Sequence, residues 1–206
     1  MTSARTLWFL ALCVASTPAW AQASRKEKPG VSFNEIERGV YFGVNAGPFF
    51  ILNPPADLGT PSPMSPGQLA QVEVGFDFGE RLSVGVMLMG TANRAGSEYV
   101  GLSKGLASGD YSALIPGAVA KVSLFGFNDS MDVKRWWIYA RLGGGYAMFS
   151  PAALINSSSL LVFGGVGLEY FTRLRHFSVA LEGNGHYFLS FGSLGFSITP
   201  SVRYAF

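Results

Sequence analysis

The sequence predicts an all-β chain, an eight-stranded antiparallel up-and-down transmembrane β-barrel of the outer-membrane type. Three features carry this reading. The first 21 residues read as a secretion leader, eight later segments alternate apolar residues with period two, and the chain closes on an aromatic residue at the end of one such segment.

The leader is "MTSARTLWFLALCVASTPAWA", residues 1–21. It has a basic Arg5, a short apolar run from Leu7 to Ala15, and Ala19-x-Ala21 ahead of a cut before Gln22. The run is shorter than the roughly 20 apolar residues a membrane-spanning helix needs. Pro18 and the charges after Gln22 speak against a buried helix. A lipid-anchored leader would want a small residue before Cys13, and Leu12 stands there. Residues 22–37 are charged and lack strand alternation, so they read as a periplasmic extension, with the barrel over 38–206.

Composition narrows the chemistry. The only cysteine, Cys13, lies in the leader, so no disulfide, thiol nucleophile or thiolate metal site is expected after it. The formal charge is +2, and the leader carries one charged residue, Arg5. A near-neutral chain without a basic block argues against nucleic acid as a partner. Gly143–Gly145 sits within a strand pattern with no helix after it, so it is not a phosphate loop, and no cofactor is expected.

The strands follow in order. Residues 39–52 give the first. In residues 71–90, Val72, Val74, Phe76 and Phe78 share one face and Gln71, Glu73, Gly75 and Asp77 the other. A turn at Gly79–Arg81 leads to Leu82, Val84, Val86 and Leu88 set against Ser83, Gly85, Met87 and Met89. Residues 111–125, 135–149, 159–171, 176–189 and 196–206 repeat the pattern. Examples are Trp136, Ile138 and Leu142 against Trp137, Tyr139 and Arg141, and Phe196, Ile198, Val202, Tyr204 and Phe206 against Ser197, Thr199, Ser201, Arg203 and Ala205. Short connections at Gly79–Arg81, Gly126–Lys134 and Thr172–Arg175 oppose longer ones at Asn53–Pro66, Arg94–Gly109 and Ser150–Ser158, with a short last one near Ser190–Ser193. Short turns on the periplasmic side and longer loops outside are the pattern of outer-membrane barrels, and both chain ends then lie in the periplasm.

A secreted β-sandwich also alternates apolar and polar residues. Two features favour the barrel. The polar face is rich in Gly, Ala and Ser, as a narrow interior requires. The apolar face carries Tyr41, Phe49, Phe50, Trp136, Tyr146, Tyr170, Tyr187, Tyr204 and Phe206 near strand ends, matching the aromatic girdles at bilayer interfaces. In lipid only closure satisfies every backbone group.

The same alternation points Glu73, Asp77, Lys121, Arg141, Glu169, Glu182, His186 and Arg203 inward. Buried charges must pair or cost several kcal/mol each, so a salt-bridge network filling the lumen is expected, with a narrow ion path as the alternative. His176 and Ser178 share a strand face with Glu182 beyond them, the residue types of a serine hydrolase acting on membrane lipid. His176 directly follows the "RLR" turn on the periplasmic side, where a polar residue needs no catalytic reason.

The ending, with Val202, Tyr204 and Phe206 at two-residue steps, resembles the assembly signal that the barrel-assembly machinery reads. The segments "SRKEKPGVSFNEIERGVYFGV", "VEVGFDFGERLS", "ANRAGSEY" and "RLRHFSVALE", with the final "RYAF", resemble the CglE family of myxobacterial adventurous gliding motility. That resemblance implies a non-enzymatic outer-membrane component of a gliding apparatus, with outer-membrane lipid and other apparatus proteins as partners. It carries over no site residues.

Overall fold

The computed structural model describes residues 36–55, 64–95, 109–152, 155 and 158–206. The leader and residues 22–35 of the periplasmic extension lie outside them. The strands are β1 (Val40–Ile51), β2 (Ser65–Phe78), β3 (Leu82–Asn93), β4 (Tyr111–Asn128), β5 (Lys134–Ser150), β6 (Ser158–Phe171), β7 (Phe177–Phe188) and β8 (Ser193–Ala205). Each pairs antiparallel with its sequence neighbour, and β8 returns to β1, so the sheet is a closed barrel. No helix occurs among the described residues.

Closure is visible in the register. A row of cross-strand partners leaves β4 at Phe127 and passes through Trp136, Tyr170, Val179, Val202, Val44, Val72 and Leu88. It re-enters β4 at Pro116, near the other end of the strand. The ladder climbs as it circles, so the strands tilt against the barrel axis, as closure demands.

Three boundaries differ from the sequence reading, one of them that of β8, which begins at Ser193 rather than at 196. β2 begins at Ser65, so the Asn53–Pro66 connection is shorter than expected and residues 65–70 are strand. Pro66 is tolerated near the strand start, because its carbonyl still accepts from the Arg94 N–H at 2.7 Å. β4 runs on to Asn128, leaving a turn of 129–133 rather than Gly126–Lys134. A bulge between Ser123 and Phe125 shifts the alternation there, so the period-two pattern alone ends the strand too early.

Prolines also mark the ladders. The β1–β8 register is interrupted between Asn45↔Ser201 and Phe49↔Ser197, where Pro48 and Pro200 each lack an N–H to donate. Gly47 lies in this interval, and a Cβ there would meet the Ile198 carbonyl oxygen at 2.2 Å. The strands therefore stay in contact across the gap.

The two faces of the sheet are chemically distinct. Val72, Val74, Val84, Val86, Val166 and Leu181 point away from the lumen and have no protein cover. An apolar belt of this extent on a closed barrel is the surface a bilayer covers. Outward aromatics gather near the strand ends. Trp136 packs on Tyr170 at 4.6 Å and Tyr204 on Phe206 at 4.9 Å near the turn side, while Phe50 stacks on Phe196 at 4.8 Å near the loop side. Two residues placed in this girdle by sequence are corrected: Tyr41 (2% exposed) and Phe49 (0%) face the lumen. In "VYFGVNAGPFF" both parities are apolar or small, and Asn45 alone marks the inner one.

Candidate functional site

The candidate site is the lumen, which divides into two layers. Near the turn side lie the ionisable residues. Arg141 on β5 reaches across to β7, where its Nη1 donates to both carboxylate oxygens of Glu182 at 2.8 and 2.7 Å. Its Nη2 donates to Glu73 on β2. Arg203 on β8 donates to Asp77 and lies 3.9 Å from the Glu169 carboxylate. Lys121 on β4 donates to Glu169 at 2.8 Å. Neutral groups complete the carboxylate shells. Ser178 donates to Glu169 at 2.7 Å, Ser83 to Asp77 at 2.5 Å, and Gln71 to Glu73 at 3.1 Å. All seven charged residues that alternation pointed inward lie here, in two ion-paired groups: Glu73–Arg141–Glu182, and Lys121–Glu169–Arg203–Asp77. Strand neighbours alone do not bring these groups together, because closure of the barrel sets β2 and β7 opposite β5.

The loop-side half of the lumen holds the apolar core, edged by buried Ser, Thr and Asn side chains such as Ser65, Thr91 and Asn93. Phe49, Leu69, Met89, Ile115, Phe149 and Phe188 form its packed core. His186 sits in this layer, not among the charges. Its Nε2 is 2.9 Å from the Ser197 hydroxyl, and its ring is edge-on to Phe49 and stacked on Phe163.

Glycine makes room for the large rings. Tyr41 lies directly across from Gly75, Trp137 from Gly126, Tyr139 from Gly167 and Phe163 from Gly143. A Cβ on Gly167 would meet the Tyr139 ring at 2.3 Å, and one on Gly143 the Phe163 ring at 2.4 Å. Each of these four rings thus covers a facing glycine, which fills a narrow interior without spreading the strands. Two rings also face cations: the Arg203 guanidinium lies 3.6 Å from the Tyr41 ring centre, and Lys121 lies 5.1 Å from that of Tyr139. Between the charge cluster and its surroundings the remaining cavity is about 20 Å³. That is room for about one water molecule.

The hydrolase grouping does not assemble. Ser178 is bonded to Glu169, not to Glu182 or histidine. His176 lies just ahead of β7, with Nδ1 2.8 Å from the Ala205 carbonyl and its ring stacked on Tyr204. Glu182 is held by Arg141. Among the described residues, no cluster of three His, Cys, Asp or Glu is placed to hold a metal.

Sequence reasoning missed two charged pairs at the turn side, Arg135–Asp129 and Arg175–Glu37. Arg135 is buried at the start of β5, where it donates from Nε to Asp129 at 2.8 Å and from Nη1 to the Thr172 carbonyl at 2.8 Å. The Asp129 carboxylate also caps the N–H groups of Met131 and Val133. Desolvation works against its ionisation. The two N–H groups and Arg135 outweigh it and hold the carboxyl below the ordinary aspartate range. The signal was available: Arg135 shares parity with Trp137, Tyr139 and Arg141.

At the chain end, Val202 and Phe206 face outward, and Tyr204 packs edge-on against Phe177. The Phe206 N–H donates to the Val40 carbonyl at 2.9 Å, so the last residue lies beside the first residue of β1.

No protein-family model matches the chain, and no curated protein matches it in sequence. The likeness of its segments to the gliding-motility family therefore has no sequence match behind it. Solved structures do match. The Neisserial surface protein NspA superposes with a TM-score of 0.55 at 14% identity, covering 84% of this chain and 100% of that one. OprG of Pseudomonas aeruginosa gives 0.45 at 13% identity over 84% and 99% of the two chains. Ail, the attachment invasion locus protein of Yersinia pestis, gives 0.43 at 15% over 82% and 100%. At such identities the likeness is one of fold. With the uncovered apolar belt and the closed register, the NspA superposition makes this chain an eight-stranded transmembrane barrel of the outer-membrane type.

Proposed function

We propose that this barrel is a non-enzymatic outer-membrane scaffold that works through its rims, as a component of a gliding-motility apparatus that anchors, assembles or adheres. The observation that carries the scaffold reading is the filled lumen. At the level of the charged residues, ion pairs and rings leave about 20 Å³, too little for a solute path through the barrel there. The outer belt fits outer-membrane lipid as the surrounding solvent. The outward alternation of Val202, Tyr204 and Phe206 fits recognition by the barrel-assembly machinery, with both termini on the periplasmic side. The motility role rests on the resemblance of the quoted segments alone.

Deletion of the gene tests the role. The expected result is loss of single-cell gliding, restored by the intact chain and equally by a Ser178→Ala chain. Normal gliding in the deletion strain contradicts the motility role and leaves a barrel of other purpose. Failure of Ser178→Ala to restore gliding, with the barrel still present in the membrane, revives a hydrolytic role for Ser178.

A further inference from the structure

We propose that Ile36–Arg38 is a releasable stopper of the turn-side mouth, controlling access of water and cations to the luminal charge cluster. The segment precedes β1 and crosses beneath the barrel. Arg38 sits with its guanidinium carbon 5.1 Å from the Phe171 ring centre and 5.9 Å from that of Trp137. Its Nη1 donates to the Glu80 carbonyl at 3.2 Å, in the β2–β3 turn. On the other side, the Glu37 N–H donates to the Arg175 carbonyl at 3.1 Å, and its carboxylate accepts from Arg175 Nη2 at 2.5 Å. Ile36 completes the seat, lining a cavity of about 440 Å³ with Arg38, Glu80, Lys134 and Trp137.

Three observations make this a device rather than a lead-in. The first is charge. The cluster holds four carboxylates (Glu73, Asp77, Glu169, Glu182) against three cations (Lys121, Arg141, Arg203). Arg38 stands within electrostatic reach of Asp77 and Glu169 and supplies the fourth positive charge. The second is attachment. Strand residues over the lumen are held in ladders on both sides, whereas residues 36–38 make one backbone hydrogen bond to the barrel among the described residues. The stopper can leave without breaking a ladder. The third is a hinge. Gly39, between stopper and strand, has φ +135°, and a Cβ there would meet nothing within 4 Å. The position needs glycine for its backbone, not for space. When the stopper leaves, Phe171 and Trp137 are uncovered, and the cluster below is left with an excess of negative charge facing the periplasm.

The test uses the full chain with Cys13→Ala and Ser178→Cys, folded in lipid vesicles and treated with a small membrane-impermeant cationic thiosulfonate. Ser178 pairs with Phe171 across β6–β7, directly behind the stopper. A mouth open about 1–10% of the time becomes fully open when the stopper is removed, so Glu37→Ala with Arg38→Ala is expected to speed labelling about ten- to a hundredfold. Raising salt from about 0.05 M to about 1 M should speed labelling of the chain with its stopper intact, because the Glu37–Arg175 pair is partly exposed and screened. Salt should not speed labelling of the doubly substituted chain; there it only screens the attraction between the cationic reagent and the uncovered carboxylates. Equal labelling rates with and without the stopper residues, in chains that both run as folded barrels, overturn the proposal. If the doubly substituted chain does not fold, the absence of a salt response in the intact one overturns it instead.

Discussion

Arg141 shows what a single residue does in this barrel. It is buried and bridges β7 and β2 through Glu182 and Glu73, so its loss leaves two carboxylates without their cation. Breaking a buried pair from one side costs about 3–5 kcal/mol. Arg141→Ala should therefore lower the unfolding free energy by about that amount in a urea titration of vesicle-folded protein. Replacing Arg141, Glu73 and Glu182 together with apolar residues of similar size should recover much of the loss. A triple variant no more stable than Arg141→Ala would mean the cluster's worth lies elsewhere. The inward set Glu73, Asp77, Lys121, Arg141, Glu169, Glu182 and Arg203 was legible in the sequence, because each sits opposite an apolar parity. Who pairs with whom was not. Arg141 meets residues on strands two and three places away round the ring, and that proximity comes from closure and tilt, which no local pattern encodes.

The hairpin is the unit in which ring and glycine come together. Tyr139 on β5 covers Gly167 on β6, and a side chain at 167 would have to displace the ring. Gly167→Val is expected to cost about 1–3 kcal/mol through overpacking, read as an earlier loss of the heat-modifiable form. The same change at Gly183, where a Cβ meets nothing within 4 Å, should have little effect. The β4–β5 turn adds a pH dependence. Asp129 has its carboxyl lowered from 3.8 by the Met131 and Val133 N–H groups and Arg135. A lowered carboxylate stabilises the folded turn fully above the ordinary value and loses that contribution as pH falls through the lowered one. Protection of the Met131 and Val133 amides relative to their intrinsic exchange rates should fall below about pH 4, and in Asp129→Asn that acid-dependent step should be absent. Strand existence and facing were legible over nearly every element from period-two alternation. The misreadings have local causes: the bulge at Ser123/Phe125 broke the period, Pro66 imitated a loop, and in β1 two apolar parities hid the inward Tyr41 and Phe49.

At the scale of the whole molecule, the barrel is a lipid-facing belt closed over a lumen packed apolar at one end and ionic at the other. Such an interior should not conduct. In planar bilayers the folded chain is expected to show no steady ion current, and a regular unitary conductance would show that the luminal pairs open as a path. Aromatic girdles and period-two alternation made the outer-membrane class legible in the sequence. The apolar loop-side plug and the stopper at the mouth were not, since both depend on side chains brought together only after the ring closes. The central claim is a closed barrel resident in the outer membrane, and electrophoretic mobility of the outer-membrane fraction with and without boiling tests it most directly. The protein is expected in that fraction, with the unboiled band migrating apart from the boiled one. A protein recovered from soluble periplasm with a single unshifted band would contradict it and return the chain to a secreted β-sandwich.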